Sequence, residues 1–150
     1  MRIGNMKSKW SKRNLFVKQF IKDGISIVDF GCGHKDILEV CKPSDYLGID
    51  VTETADLTLN LNTDFDLGKK FELGLVLGVL EYLDNPSHTL SNIKKHVNEI
   101  IILVRDSKKA PEWKQRITAD ELKKLMEEHF YDVKFYHDGE HHIVATGKVK

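Results

Sequence analysis

The apolar run Ile25 to Phe30, followed at once by Gly31-Cys32-Gly33, constrains this chain more than any other feature. A short unbroken apolar run is the form of a strand buried on both faces, as parallel sheets require. Glycines directly behind such a strand let the backbone take conformations closed to other residues and come close to a ligand. Some way on, the run Tyr46 to Val51 contains Gly48-Ile49-Asp50. A carboxylate at the end of a second strand can accept both hydroxyl hydrogens of a ribose. In an open α/β sheet such ligands lie outside the carboxyl ends of the strands, where the strand order reverses.

The rest of the chain alternates in the same way, which predicts a sheet with helices on both faces. Phe16, Val17, Phe20 and Ile21 share one helical face, so a first helix is expected from Lys9 to Lys22, ended by Asp23-Gly24. Ile37, Leu38, Val40 and Cys41 predict a short helix before Pro43. Leu57, Leu59 and Leu61 alternate with polar residues and predict a third strand at the sheet edge. Phe71 to Val79 and Glu99 to Val104 are apolar strands. Between them Asn85-Pro86 caps a helix with the stripe Leu90, Ile93 and Val97. Thr118 and Glu121 have capping-box spacing ahead of Leu122, Leu125, Met126, His129 and Phe130. Asp138-Gly139 between Val133–Tyr136 and His142–Thr146 signals a hairpin. The expected fold is α/β: a three-layer, doubly wound sheet of seven strands, six parallel, with the last hairpin antiparallel. Residues 1–150 read as one domain, with 1–23 as a basic arm and helix.

Two cofactor classes fit the glycines and Asp50. A dinucleotide fingerprint needs a small residue where Asp36 stands, and a carboxylate there would face a pyrophosphate. Asp29, directly before the glycines, suits a ligand with a cationic end. A terminal hairpin is foreign to the usual dinucleotide fold. These features favour S-adenosylmethionine over a nicotinamide cofactor.

The chain resembles the class I, seven-stranded S-adenosylmethionine-dependent methyltransferases, in the branch of small bacterial enzymes acting on metabolites and glycans. The resemblance covers about Ile25 to Lys148 and rests on Val28-Asp29-Phe30-Gly31-Cys32-Gly33, Gly48-Ile49-Asp50, the stretch Phe71 to Leu83 and Ile117 to Leu122. It implies that Asp29, Gly31, Cys32 and Gly33 border the methionine part of the cofactor and that Asp50 holds the ribose. Val51, Asn60 and Leu61 would lie along the adenine, and the backbone at Leu77 and Gly78 would meet the ammonium. Two positions depart from the pattern: Lys35 stands for a third glycine, and Tyr82 for a histidine after Leu80-Glu81.

Charge narrows the function classes. Lys plus Arg total 23, as do Asp plus Glu, which disfavours a general nucleic-acid binder. No Asn-Pro-Pro-Tyr-like motif follows the fourth strand, which disfavours amino methylation of DNA. No apolar run reaches the ~20 residues of a membrane span, and the N-terminus lacks the apolar core of a signal peptide. A cytoplasmic location with reduced Cys32 and Cys41 is expected. His141 and His142 are neighbours that point to opposite faces on a strand, and neither has an acidic or Cys partner at ligand spacing, so no metal is expected. Cys32 and His129 read as packing residues.

The cations are unevenly spread: Arg2, Lys7, Lys9, Lys12, Arg13, Lys18 and Lys22 stand in residues 2–22 without an acid. They read either as a solvated helix face or as a basic arm for an anionic acceptor. His34, Glu81 and Tyr82 are the candidates for a catalytic base, and Trp113 and Arg116 for an acceptor pocket. The expected reaction is methyl transfer to an oxygen or nitrogen of a small-molecule or glycan acceptor, with sugars and phosphorylated sugars first. The alternative is a catalytically weak, methyltransferase-like binding module or partner subunit. The acceptor's identity and the oligomeric state are left open.

Overall fold

The computed structural model describes residues 11–106 and 117–149. Its elements in chain order are α1 (Ser11–Lys18), β1 (Ser26–Phe30), β2 (Asp45–Asp50), β3 (Leu57–Thr58) and β4 (Phe71–Leu77), then α2 (Pro86–Ile93), β5 (Val97–Arg105), α3 (Ala119–His129), β6 (Phe130–His137) and β7 (His142–Val149). Among the described residues the strands form one sheet of seven, ordered β3-β2-β1-β4-β5-β7-β6. β1 pairs in parallel with β2 on one side and β4 on the other. β7 runs antiparallel to both β5 and β6. The expected seven-stranded sheet with a reversed final hairpin is therefore the fold observed.

Two apolar layers hold the sheet between helices, because successive strand residues face opposite sides. Val28, Phe30, Ile49, Val76, Ile100 and Ile102 pack with Leu90 and Ile93 of α2 and Leu122 and Met126 of α3. Ile27, Leu73, Leu75, Ile101 and Leu103 pack on the other side with Val17 of α1 and with Ile37, Val40 and Cys41. Gly74 lets the central strands close up: a Cβ there would sit 2.8 Å from Val97 Cγ1.

Several expected boundaries move. Residues 1–10 lie outside the described residues, so the expected start at Lys9 does too. The helix itself stops at Lys18, after which Phe20 N–H donates to Val17 O and Ile21 N–H to Lys18 O. This tighter three-residue pattern carries Phe20 and Ile21 to the apolar layer beside the sheet. The expected helix at Ile37–Cys41 is a single 3₁₀ turn, Asp36–Glu39. The third strand shrinks to two residues paired with β2, while Leu61 leaves the sheet and is buried under it. Val97 is not on the α2 stripe but opens β5, and Phe130 opens β6. In each case an apolar residue just past a helix end is core in either reading, and pairing with a neighbouring strand decides which element holds it.

The cap of α3 is as expected. Thr118 Oγ1 accepts from Glu121 N–H at 3.1 Å, and Glu121 reaches back to the Thr118 N–H. Loss of such a cap costs about 1 kcal/mol. Thr118→Ala should lower the unfolding free energy by about that amount, read as a lower urea midpoint at an unchanged slope, and an unchanged midpoint would mean that packing of Leu122 and Met126 alone sets the helix start.

Candidate functional site

The site forms where β1 has β2 on one side and β4 on the other. The chain runs outward from β1 to β3 and returns to β4, which makes this the reversal point of the strand order. Gly31 and Cys32 each donate a backbone N–H to Ile49 O, at 2.7 and 2.9 Å. Gly33 N–H donates to Asp50 Oδ2 at 2.8 Å, and Val51 N–H to Asp50 Oδ1 at 2.7 Å. The end of β2 thus clasps the loop after β1. Each carboxylate oxygen keeps acceptor capacity beyond its backbone partner. Gly31 has φ +84°, and a Cβ there would lie 2.4 Å from Val79 Cγ2, so no larger residue fits without a shift.

Lys35 itself adopts the left-handed conformation, with φ 62°. Its Nζ pairs with Asp56 at 2.7 Å. Asp56 in turn accepts from Gly48 N–H of β2.

A cleft of about 470 Å³ opens above these strand ends. All ten residues expected around the cofactor line it: Asp29 with Gly31, Cys32 and Gly33 at the end of β1; Asp50 and Val51 at β2; Asn60 and Leu61 beyond β3; Leu77 and Gly78 at β4. His34 and Tyr82 line it as well, and Glu81 does not. Asp29 is 3% exposed and its Oδ2 accepts from the Tyr46 hydroxyl at 2.7 Å. Burial pushes its carboxyl up to about 6, against the opposing effects of Tyr46 and Arg13. The Cys32 thiol is pushed up to about 11, first by burial and then by Asp29 and Asp50. It is a protonated packing residue against Gly48, whose Cβ position lies 2.9 Å from its sulfur. His129 is also buried, and its Nε2 is 2.9 Å from Ser87 Oγ.

Arg13 is the residue the sequence reading placed differently. It lines the cleft, and a Cβ on Gly78 would be 3.4 Å from its Nη1. Its spacing carried the signal: Arg13 stands four residues before the fully buried Val17, hence on the same helical face. Lys12 and Lys18 are exposed, while Lys7, Lys9, Trp113 and Arg116 lie outside the described residues.

A smaller space of about 130 Å³ adjoins the first, sharing Arg13, Gly78 and Tyr82 with it. Its other walls are Glu81, Leu103, Arg105 and His142. Glu81 is 6% exposed, and its Oε2 accepts from Arg105 N–H at 2.9 Å. Its Oε1 is sealed from solvent without a hydrogen bond, and burial raises its pKa. Glu81 therefore fastens the end of β5. Among the described residues no three His, Cys, Asp or Glu side chains gather in a way that could hold a metal, and no helix is long and apolar enough to cross a membrane.

Comparison with known proteins agrees with this fold. N-methyltransferase NodS from Bradyrhizobium japonicum, solved with S-adenosyl-L-homocysteine, superposes with a TM-score of 0.71 at 14% identity, over 95% of this chain and 89% of that one. A SAM-dependent methyltransferase from Aquifex aeolicus gives 0.74 at 13% identity, over 99% and 97%. The 1,6-didemethyltoxoflavin-N1-methyltransferase of Burkholderia thailandensis gives 0.67 at 18%, over 93% and 77%. These likenesses are of fold. No curated protein matches in sequence. A family model described as a methyltransferase domain matches residues 3–137. With nine-tenths of the sequence inside that match and the sheet order to go with it, the chain belongs to the methyltransferase-domain family.

Proposed function

We propose that the protein binds S-adenosylmethionine in the larger cleft and transfers its methyl group to an oxygen or nitrogen of a small acceptor. The observation that carries this reading is the Asp50 carboxylate, clamped by Gly33 and Val51 N–H yet lining the cleft with lone pairs to spare. Residues and ligand match in chemistry along the whole groove. Asp50 suits the ribose hydroxyls, and Val51, Leu59 and Leu61 offer an apolar bed for an adenine, with Asn60 for its edge. At the other end Asp29 is a partner for an ammonium and Arg13 for a carboxylate, the two charges of an amino-acid tail. S-adenosylmethionine supplies an activated methyl on a good leaving group, so the protein's main task is alignment, worth effective molarities of ~10⁵–10⁸ M.

This reading moves Arg13 from the acceptor to the methyl donor. The remaining α1 cations, Lys12 and Lys18, are exposed and can serve only as a long-range field for an anionic acceptor such as a phosphorylated sugar. A sugar or sugar phosphate remains the acceptor class that the family branch favours.

Asp50→Ala should weaken binding of S-adenosylhomocysteine at least tenfold by calorimetry. Each lost charge-assisted hydrogen bond is worth ~1.5–3 kcal/mol, and a tenfold change is 1.4 kcal/mol. An unchanged affinity would mean that Asp50 is not the ribose partner.

Asp29→Asn should separate stability from binding. The folded pKa of Asp29, about 6, lies above its ordinary value. The native state therefore holds this proton longer than the unfolded chain, and stability falls as pH rises from about 4 to above 6. At about 1.4 kcal/mol per pH unit, the buried charge costs the ligand-free protein up to ~3 kcal/mol. The amide should raise the melting temperature at pH 8, with the gain shrinking towards pH 5, while weakening S-adenosylhomocysteine binding. A melting temperature lowered equally at both pH values would contradict this account.

A further inference from the structure

The hairpin between β6 and β7 holds two histidines in contrasting states. His137 has both ring nitrogens engaged: Nδ1 accepts from Gly139 N–H at 2.8 Å, and Nε2 is 2.8 Å from Asp106 Oδ2. That ring closes the hairpin. His142 has only Nδ1 engaged, 2.9 Å from Asp138 Oδ2. Its Nε2 has no hydrogen bond, and unlike Glu81 Oε1 it is not sealed from solvent. The ring is 14% exposed and borders the small space that adjoins the donor cleft.

The tautomer of His142 follows from its partner. Asp138 Oδ1 accepts from the backbone N–H groups of Glu140, His141 and His142, at 2.8 to 3.0 Å. These bonds, with the His142 ring, hold the Asp138 carboxyl far below the usual carboxylate range against the opposing effect of burial. An ionised carboxylate only accepts, so the ring proton sits on Nδ1 and the Nε2 lone pair is free. Burial, with Arg13 and Arg105 adding to it and Asp138 opposing, lowers the His142 pKa below its ordinary value. At neutral pH the ring is a neutral base, fixed in orientation.

Its position is set by the sheet. β7 is the reversed strand, so its first residue lies at the carboxyl ends of β4 and β5. His142 is paired in register with Arg105, the last residue of β5. Glu81 Oε2 fixes the Arg105 backbone from the turn after β4. Facing His142 are thus Arg105 from β5, Arg13 from α1, Glu81 and Tyr82 after β4, and Asp138 and His141 from the hairpin.

Granting that the larger cleft holds the methyl donor, we infer that the small space is the acceptor subsite and that His142, oriented by Asp138, is the general base for a hydroxyl acceptor. A neutral amine needs no base to attack a sulfonium methyl, and a protonated amine is repelled by Arg105. A hydroxyl does need one, and the Arg105 guanidinium at the wall of the small space favours the oxyanion that develops. The acceptor O–H proton passes to His142 Nε2. The oxygen forms its bond to the methyl carbon as the carbon–sulfur bond breaks, with that electron pair staying on sulfur. The products are a methyl ether, a neutral thioether and a protonated His142, which returns its proton to water.

The full chain is tested in two ways. In the complex with S-adenosylhomocysteine, nitrogen NMR of the His142 ring should show an unprotonated Nε2 at pH 7. Its resonance should move on adding catechol or methyl α-glucoside, but not glycine or histamine. With radiolabelled S-adenosylmethionine, the hydroxyl probes should accept methyl and the amines should not. His142→Gln should lower kcat ~10²-fold or more, with little change in the probe's KM or in S-adenosylmethionine affinity. The acidic limb of the wild-type pH profile should disappear. Asp138→Asn should lower kcat and release the tautomer, a second reading if His142→Gln folds poorly. A ring resonance unmoved by every hydroxyl probe, preferential methylation of the amines, or a His142→Gln profile like the parent's would overturn the inference. Calorimetry separates this from failure of the donor reading, in which S-adenosylmethionine would not bind at all.

Discussion

The parallel pairing of β1 with β2 on one side and β4 on the other is the constraint on which the site depends. Because both neighbours run with β1, their carboxyl ends open at one edge of the sheet. The chain has turned outward on one side and returns on the other, which makes this edge the reversal point of the strand order. The Asp50 carboxylate then ties Gly33 and Val51 to a common point, and the cleft acquires its floor. There burial disfavours the charge of Asp29, and Tyr46, which donates to it, and Arg13 partly offset that cost. It is a local cost to stability placed where a cationic ligand group would offset it.

The second dependence is on the reversed strand. β7 enters the sheet antiparallel, which brings the Asp138–Gly139 turn to the same edge as the carboxyl ends of β4 and β5. The hairpin is thus more than a cover for the sheet edge. It sets His142 opposite Arg105 and beside the space that Gly78 and Tyr82 share with the larger cleft. Glu81, the other acidic group near that edge, is occupied with the backbone of Arg105.

Much of this was legible in the residues. Strand order and cleft follow from Ile25–Gly33, Gly48–Asp50 and Phe71–Leu77, where apolar runs and glycines say both what is buried and where a ligand can approach. The α3 cap was legible because it is local, a matter of Thr118 and Glu121 alone. Arg13 was hidden in a run of cations, since charge by itself does not tell a solvated face from a wall of a cleft. Only its spacing from Val17 distinguishes it. His142 was hidden differently. His141 lies before β7 and His142 opens it, and that His142 meets Arg105 depends on a register that pairing across the sheet decides. Lys35 looked like a defect in a glycine pattern, because sequence does not display the φ of 62° that it accepts.

The most direct test of the account is a crystal structure of the protein with S-adenosylhomocysteine. The account expects the ribose hydroxyls within hydrogen-bond distance of Asp50 and the adenine against Val51 and Leu61. The amino-acid tail should lie between Asp29 and Arg13, with the sulfur facing the space bordered by His142. Density for the ligand at another edge of the sheet, or with the ribose away from Asp50, would contradict it.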